Sequence, residues 1–231
     1  MLDSRFFTTK DIKSTNFFFD LHPAWWSRIY EYPWAGKFAN PDDICLDAAC
    51  GVSHPLKFYL LDHCREVYAN DIDKRILSRD EMLKEIKEVY GETATLDEKY
   101  TNNIKYSTSN ITRLPYPDNF FDKVYCISVL EHLKDHFNER KAFSIAQVDN
   151  FWGKFLKKDI YRTIQEFKRV LKPGGLIVVT FDYPIINLEY FNEIIQKLGL
   201  HFAEKPDFKL PENALYSDHF GLYCYRAVIK K

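Results

Sequence analysis

Glycine is scarce in this chain: 8 of 231 residues, about half the usual ~7% share. That excludes collagen-like and glycine-linker architectures and argues against any motif needing several glycines in a row. No G-x-G-x-x-G is present, so nothing points to a nicotinamide dinucleotide loop. No apolar run approaches the ~20 residues of a membrane span, and the first twenty residues have no basic start leading into an apolar core. Excess charge of either sign is lacking too. Lys+Arg number 32 and Asp+Glu 33, a net −1, so no global field draws the chain to nucleic acid or to an anionic membrane. The five cysteines form no C-x-x-C pair, which argues against a zinc site or disulfide framework and for reduced thiols in the cytoplasm.

What is abundant is aromatic: 19 Phe, 15 Tyr and 4 Trp. Eleven of them fall in the first 38 residues. After Asp43, short apolar runs alternate with helical periods. Ile44–Leu46, Val67–Ala69, Ile104–Tyr106, Val124–Ile127, Leu176–Phe181 and Leu222–Ile229 read as strands. The stripes Ile76–Tyr90, Ile160–Leu171 and Ile185–Leu198 read as helices, stopped at Gly91, Pro173 and Gly199. Continuous apolar strands separated by helices predict a doubly wound α/β sheet, mostly parallel, with helices on both faces. The final strand is expected to pair antiparallel at an edge. We read residues 1–231 as one domain, with residues 1–42 as an aromatic lid and 133–158 as a cap insertion.

The chemistry concentrates where strands end. The turn Asp47-Ala48-Ala49-Cys50-Gly51-Val52-Ser53 is built of small residues that let a ligand approach the backbone, and Asp71 closes the next strand 20 residues after Gly51. An acid there can accept both hydrogen bonds of a ribose diol. Packing and helix capping are the plain readings of each feature alone.

Four segments in order carry a resemblance. They are Leu46-Asp47-Ala48-Ala49-Cys50-Gly51, Val67 to Asp73, Asn110 to Asp122 (with its Leu-Pro-x-Pro-Asp-x-x-Phe-Asp string), and Leu171-Lys172-Pro173-Gly174-Gly175. Together, over about residues 43–182, they resemble the class I S-adenosylmethionine-dependent methyltransferases acting mostly on small molecules. The resemblance implies a seven-stranded Rossmann-like sheet and S-adenosylmethionine as cofactor. It implies cofactor contacts from Asp47, Ala48, Ala49, Gly51, Asp71, Ile72, Asn110, Ile111 and Ser128. Arg28 and Tyr30 of the lid are expected to reach the methionine carboxylate. The chain departs from the pattern at Ala49 and Ser53, where the family carries glycine, and at Asn110, where it carries Asp. The loop is expected to keep its shape provided Ala49 and Ser53 have φ below zero, and the Asn110 side-chain oxygen to accept from the adenine amino group.

Methyl transfer to oxygen or nitrogen needs an aligned acceptor and a place for its proton. His132 is the best-placed histidine for catalysis, with packing beside the cofactor as its other reading; His54, His136 and His219 are weaker candidates. No metal site is expected. Trp25, Trp26, Trp34 and Tyr183 are candidate walls of the acceptor pocket, against a core role for the lid aromatics. No Asn/Asp-Pro-Pro-Tyr motif follows Ile127, which lowers DNA bases and protein glutamine as substrates. Residues 134–172 carry a local charge of +5, read as a solvated face or as a surface steering an anionic substrate. The expected function is methyl transfer to an O or N atom of a small molecule. The alternatives are a non-catalytic S-adenosylmethionine-binding partner and a methyltransferase of RNA or protein.

Overall fold

The structure, a computed structural model, describes residues 2–133 and 151–231, with side chains from 156 onward in the second segment. Strand β1 (Arg5–Phe6) and the hairpin β2 (Asn16–Phe17)–β3 (Phe19–Asp20) precede helix α1 (Arg28–Gly36). Then come β4 (Ile44–Ala48), α2 (Leu56–His63), β5 (Glu66–Asp71), α3 (Arg79–Tyr90), α4 (Glu98–Asn102), β6 (Lys105–Thr108) and β7 (Phe121–Ile127). The second segment supplies α5 (Phe151–Val170), β8 (Leu171–Tyr183), α6 (Leu188–Lys197), β9 (His201–Phe202), β10 (Tyr216–Ser217) and β11 (Leu222–Lys230).

The main sheet runs β1-β11-β8-β7-β4-β5-β6, with β9 and β10 also paired to β11. Strands β8, β7, β4, β5 and β6 are parallel to one another, and β11 is antiparallel to β8. The expected last strand is therefore antiparallel, but it is not an edge. Arg5–Phe6 of the N-terminal segment pairs outside it, so that segment begins as a strand of the sheet itself.

Alternation along the strands explains the two layers. In β7, Val124 and Cys126 belong to a core shared with Ile160, Ile164 and Phe167 of α5 and Ile194 of α6. Tyr125 and Ile127 belong to a second core, shared with Tyr32 of α1, Phe58 of α2 and Ile86 of α3. Helices thus cover both faces, as the continuous apolar strands require.

Three boundaries differ from expectation. The stripe Ile76–Tyr90 is broken at Ser78, whose hydroxyl caps α3 by accepting from Glu81 N–H; a short 3-10 turn, Lys74–Leu77, precedes it. Strand β8 extends beyond its apolar run at both ends, through the Lys-Pro-Gly-Gly segment before it and Asp182-Tyr183 after it. Helix α5 begins at Phe151, so the C-terminal part of the expected cap is helical. Residues 134–150 of that cap, with His136, lie outside the described residues. Among the described residues, no helix is long and apolar enough to cross a membrane.

Candidate cofactor and acceptor site

The loop after β4 stands at the carboxyl ends of the parallel strands. Ala49 adopts φ +55° and Gly51 φ +61°. The condition that Ala49 keep φ below zero is not met, whereas Ser53 is not among the residues of positive φ. A left-handed alanine costs on the order of 1 kcal/mol, so something must hold it. Gly51 is required sterically: a Cβ there would lie 2.4 Å from Cδ2 of His54.

Lys57, the second residue of α2, does the holding. It is wholly buried. Its Nζ donates to the carbonyls of His54 at 2.6 Å, Gly51 at 2.9 Å and Cys50 at 3.4 Å. Three carbonyls drawn inward by one ammonium fix the loop that glycine would otherwise have shaped. Burial lowers the Lys57 pKa, opposed by Cys50, Asp47 and Asp71. Sequence reasoning missed this residue. Its signal was a lysine at an apolar-flanked position, between Leu56 and Phe58.

Two cavities flank the loop. The larger, about 240 Å³, is bounded by Asp71 and Ile72 on one side, Asn110 and Ile111 on another, and His132. Asp71 takes the Gly51 N–H at 2.8 Å on Oδ2 and the Asp73 N–H at 2.9 Å on Oδ1. Ile72 is 46% exposed although large and apolar. Asn110 corrects an expectation. Its Oδ1 already accepts from Thr112 N–H at 2.9 Å and Thr112 Oγ1 at 2.8 Å, which leaves the amide Nδ2 as its group not spent on the turn.

The smaller cavity, about 90 Å³, is lined by Arg28, Tyr32, Asp47, Gly51 and His54 among others. Ala49, Ser128 and Val129 line both cavities, so a ligand filling the two must pass these residues. Asp47 Oδ2 and Arg28 Nε are buried without hydrogen-bond partners. Burial pushes the Asp47 carboxyl up to about 7, against the pull of Lys57. An orphaned carboxylate oxygen and an orphaned guanidinium N–H around one small cavity match the ammonium and carboxylate of an α-amino acid.

Arg28 is set by Glu31. Its Nη1 donates to Glu31 Oε2 at 2.5 Å. Burial alone would raise the Glu31 pKa, but Arg28 and the hydroxyls of Ser128 and Thr180 outweigh it and hold the carboxylate below its ordinary range. Those hydroxyls donate to Oε1 at 2.6 and 2.5 Å. Ser128, at φ +47°, is thereby fixed at the junction of the cavities.

The lid residues divide. Trp25 stacks on His54, ring centroids 4.4 Å apart and 9° from parallel. Tyr32 bonds His54 Nδ1 at 2.6 Å. Burial drives the His54 pKa well below its ordinary value, helped by Arg28 and Lys57, so the ring is neutral. His54, a weaker candidate from sequence, thus joins Trp25 and Tyr32 of the N-terminal segment to the loop. Tyr30 is buried against Phe7, and Trp34 against Phe7 and Phe38. They are core, with Tyr32 at the cavity in place of Tyr30. Trp26 is half-buried beside the same core. Tyr183 packs on Phe6 at 5.3 Å. Ala48 is buried in the sheet core behind the loop. The described basic residues Arg162, Lys168 and Arg169 line a hollow with Asp118 and Glu166. Its lining runs from Asp118 and Asn119, which lead into β7 at its amino end, to Thr112 and Arg113. Among the described residues, no His/Cys/Asp/Glu group could hold a metal ion.

Residues 46–179 match the family described as "Methyltransferase domain". That span is more than half of the chain. The chain belongs to the class I S-adenosylmethionine-dependent methyltransferase family. It is 30% identical, over 177 residues, to the ubiquinone/menaquinone biosynthesis C-methyltransferase UbiE of Shewanella sp. (strain W3-18-1), covering 75% of this chain and 55% of that one. The enzyme of the same name from Hahella chejuensis is 34% identical over 95 residues, covering 41% and 28%. The chain thus spans about half or less of the length of these relatives. Among solved structures it is similar to the [4+2]-cyclase SpnF, with a TM-score of 0.59, 13% identity and 100% and 87% of the two chains covered. A TehB-like methyltransferase of Corynebacterium glutamicum gives 0.52, 14%, and 87% and 86%. These likenesses show the fold. The cofactor of the family is S-adenosylmethionine.

Proposed function

We propose that this protein transfers a methyl group from S-adenosylmethionine to a small-molecule acceptor. The observation that carries the reading is the paired orphan groups, Asp47 Oδ2 and Arg28 Nε, around one cavity. Arg28 would hold the methionine carboxylate and Asp47 the ammonium. Asp71 would accept from the ribose hydroxyls. Ile72 and Ile111 offer apolar surface to the adenine ring, which explains a large apolar residue left 46% exposed. Asn110 would give its Nδ2–H to a ring nitrogen rather than accept from the adenine amino group. When bound, the cofactor supplies a methyl group on a positively charged sulfur, so the protein need only align the acceptor and handle its proton.

Trp25, which stacks on His54 of the smaller cavity, and Trp26 would wall the acceptor. His132, on the larger cavity, is a candidate to orient it. Oxygen and nitrogen are the acceptor atoms expected from the sequence. Carbon is a second reading, favoured by the printed name of the UbiE relatives. Five free thiols support a cytoplasmic setting.

Methyl transfer from tritium-labelled cofactor to a panel of small phenols, amines, carboxylates and quinols tests the proposal. Label in an extractable small product supports it. Binding of S-adenosylhomocysteine with no transfer to any of them would favour the non-catalytic reading.

A further inference from the structure

Two cysteines that the cofactor reading does not use bring their sulfurs together. Cys45 lies in β4, two residues before Asp47, and is fully buried. Cys64 follows the last residue of α2 and is half-buried. Cys45 Sγ donates to Cys64 Sγ at 3.4 Å.

The backbone imposes this meeting. Cys45 is held within the parallel sheet, opposite Val67 of β5 and Lys123 of β7. The Cys64 N–H donates to the Leu60 carbonyl at 2.8 Å, closing α2. The next N–H, that of Arg65, donates to the Asp43 carbonyl at 3.0 Å. The chain leaving α2 is therefore tied to the residue just before β4. The sulfurs need to approach by about 1.4 Å to reach the ~2 Å of a disulfide, a movement within reach of side-chain rotation.

The two thiols differ as a reactive and a resolving cysteine must. The hydrogen bond from Cys45 lowers the Cys64 pKa against the effect of burial, and a backbone hydrogen bond from Asn40 lowers it further. Lys123 acts in the same direction and Asp43 against it. The hydrogen bond to Cys64 and burial push the Cys45 thiol up, so it keeps the hydrogen that it directs at its partner. Tyr59 and Tyr125 complete the titratable surroundings. Cys50, Cys126 and Cys224 are buried, and burial raises each of those thiols. Of the five, Cys64 alone combines access to solvent with a stabilised thiolate.

We propose that Cys45 and Cys64 are a redox modification site, at which a hydroperoxide oxidises Cys64 and Cys45 resolves the product into an intramolecular disulfide. In the first step the Cys64 sulfur attacks a peroxide oxygen. An S–O bond forms, the O–O bond breaks, and the Cys64 proton leaves with the departing oxygen as an alcohol or water. In the second step the Cys45 sulfur attacks the Cys64 sulfur. The S–S bond forms, the S–O bond breaks, and the sulfenic oxygen leaves as water with the Cys45 proton. Two thiols are oxidised and one peroxide is reduced. The bond clasps residues 46–63, which carry Asp47, the left-handed Ala49, Gly51 and the Lys57 clamp. Neither cysteine lines either cavity, so the bridge staples the unit that bears the cofactor site without filling it. Closing a loop of this length removes freedom from the unfolded chain.

The test oxidises the folded, full chain with a small excess of hydrogen peroxide. The protein is then alkylated in denaturant, weighed intact and mapped by digestion without reductant. Wild type should lose two hydrogens, keep three of its five alkylatable thiols, and give a linked Cys45–Cys64 peptide that dithiothreitol separates. Its thermal midpoint should rise by about 5 °C or more over the reduced form. Cys64→Ser should form no link. Cys45→Ser should halt at a Cys64 sulfenic acid, trapped by dimedone. An unmodified Cys64, a Cys64 driven to sulfinic acid without a link, or a bridge to another cysteine overturns the proposal. Equal thermal midpoints overturn the clasp. If either variant fails to fold, the peptide map of the wild type decides alone.

Discussion

The indole of Trp25 lies flat on the imidazole of His54, centroids 4.4 Å apart. This stack joins the aromatic N-terminal segment to the loop that forms the small cavity. His54 also bonds Tyr32 and fills the space that a Cβ at residue 51 would need. One neutral histidine therefore couples the N-terminal segment to the loop. An aromatic pair contributes about 0.5–1.5 kcal/mol beyond its buried area. Trp25→Ala should weaken S-adenosylhomocysteine binding by about 3- to 10-fold, and Trp25→Phe by less. Calorimetry decides; equal affinities for Trp25→Ala and wild type would separate lid from cofactor.

Lys57 is expected to matter out of proportion to its distance from any reacting atom. Lys57→Met preserves length and apolar character but leaves the carbonyls of Cys50, Gly51 and His54 without their donor. Unsatisfied buried groups cost ~1–3 kcal/mol each; removing the buried charge offsets part of this. We expect a net loss of about 2–3 kcal/mol in urea unfolding, together with weaker cofactor binding. A variant as stable as wild type, with the same affinity, would mean that the loop holds its left-handed Ala49 unaided.

The contribution of Asp47 and Asp182 to stability should fall as pH rises toward neutrality, opposed by His54, whose lowered pKa acts the other way. Asp47 and Asp182 are both raised to about 7 in the folded chain, chiefly by burial. Unfolded, they titrate near 4. Between about pH 4 and 7 the folded chain holds protons that the unfolded chain has released, so raising the pH favours unfolding, by up to ~1.4 kcal/mol per unit per group. Asp182→Asn removes one such group. Its stability relative to wild type should improve from about pH 4 to about pH 7 and level off above. Parallel curves from chemical denaturation across that range would contradict this.

The fold was largely legible because its signals are local. Continuous apolar runs marked the parallel strands, Gly91 and Gly199 marked helix ends, and the acids Asp47 and Asp71 stood at strand termini. What stayed hidden depends on tertiary neighbours. The left-handed Ala49 precedes the carbonyls of Cys50 and Gly51 that Lys57 holds, a clamp that no sequence spacing reveals. The lid aromatics carry no sequence mark separating core from cavity: Trp34 faces Phe7 while Trp25 faces His54. Asn110 was read as an acceptor because its amide can accept, but Thr112 two residues on takes that oxygen. The hairpin and β1 were missed because two-residue strands are too short to show a period.

The central claim is that the two cavities joined at Ala49, Ser128 and Val129 hold S-adenosylmethionine. Calorimetric titration with S-adenosylhomocysteine tests it most directly, using wild type and Asp71→Ala. The account predicts one site per chain in wild type. It predicts a loss of about 30-fold or more in the variant, because hydrogen bonds to a charged group are worth ~1.5–3 kcal/mol. No binding by wild type, or undiminished binding by Asp71→Ala, would contradict it.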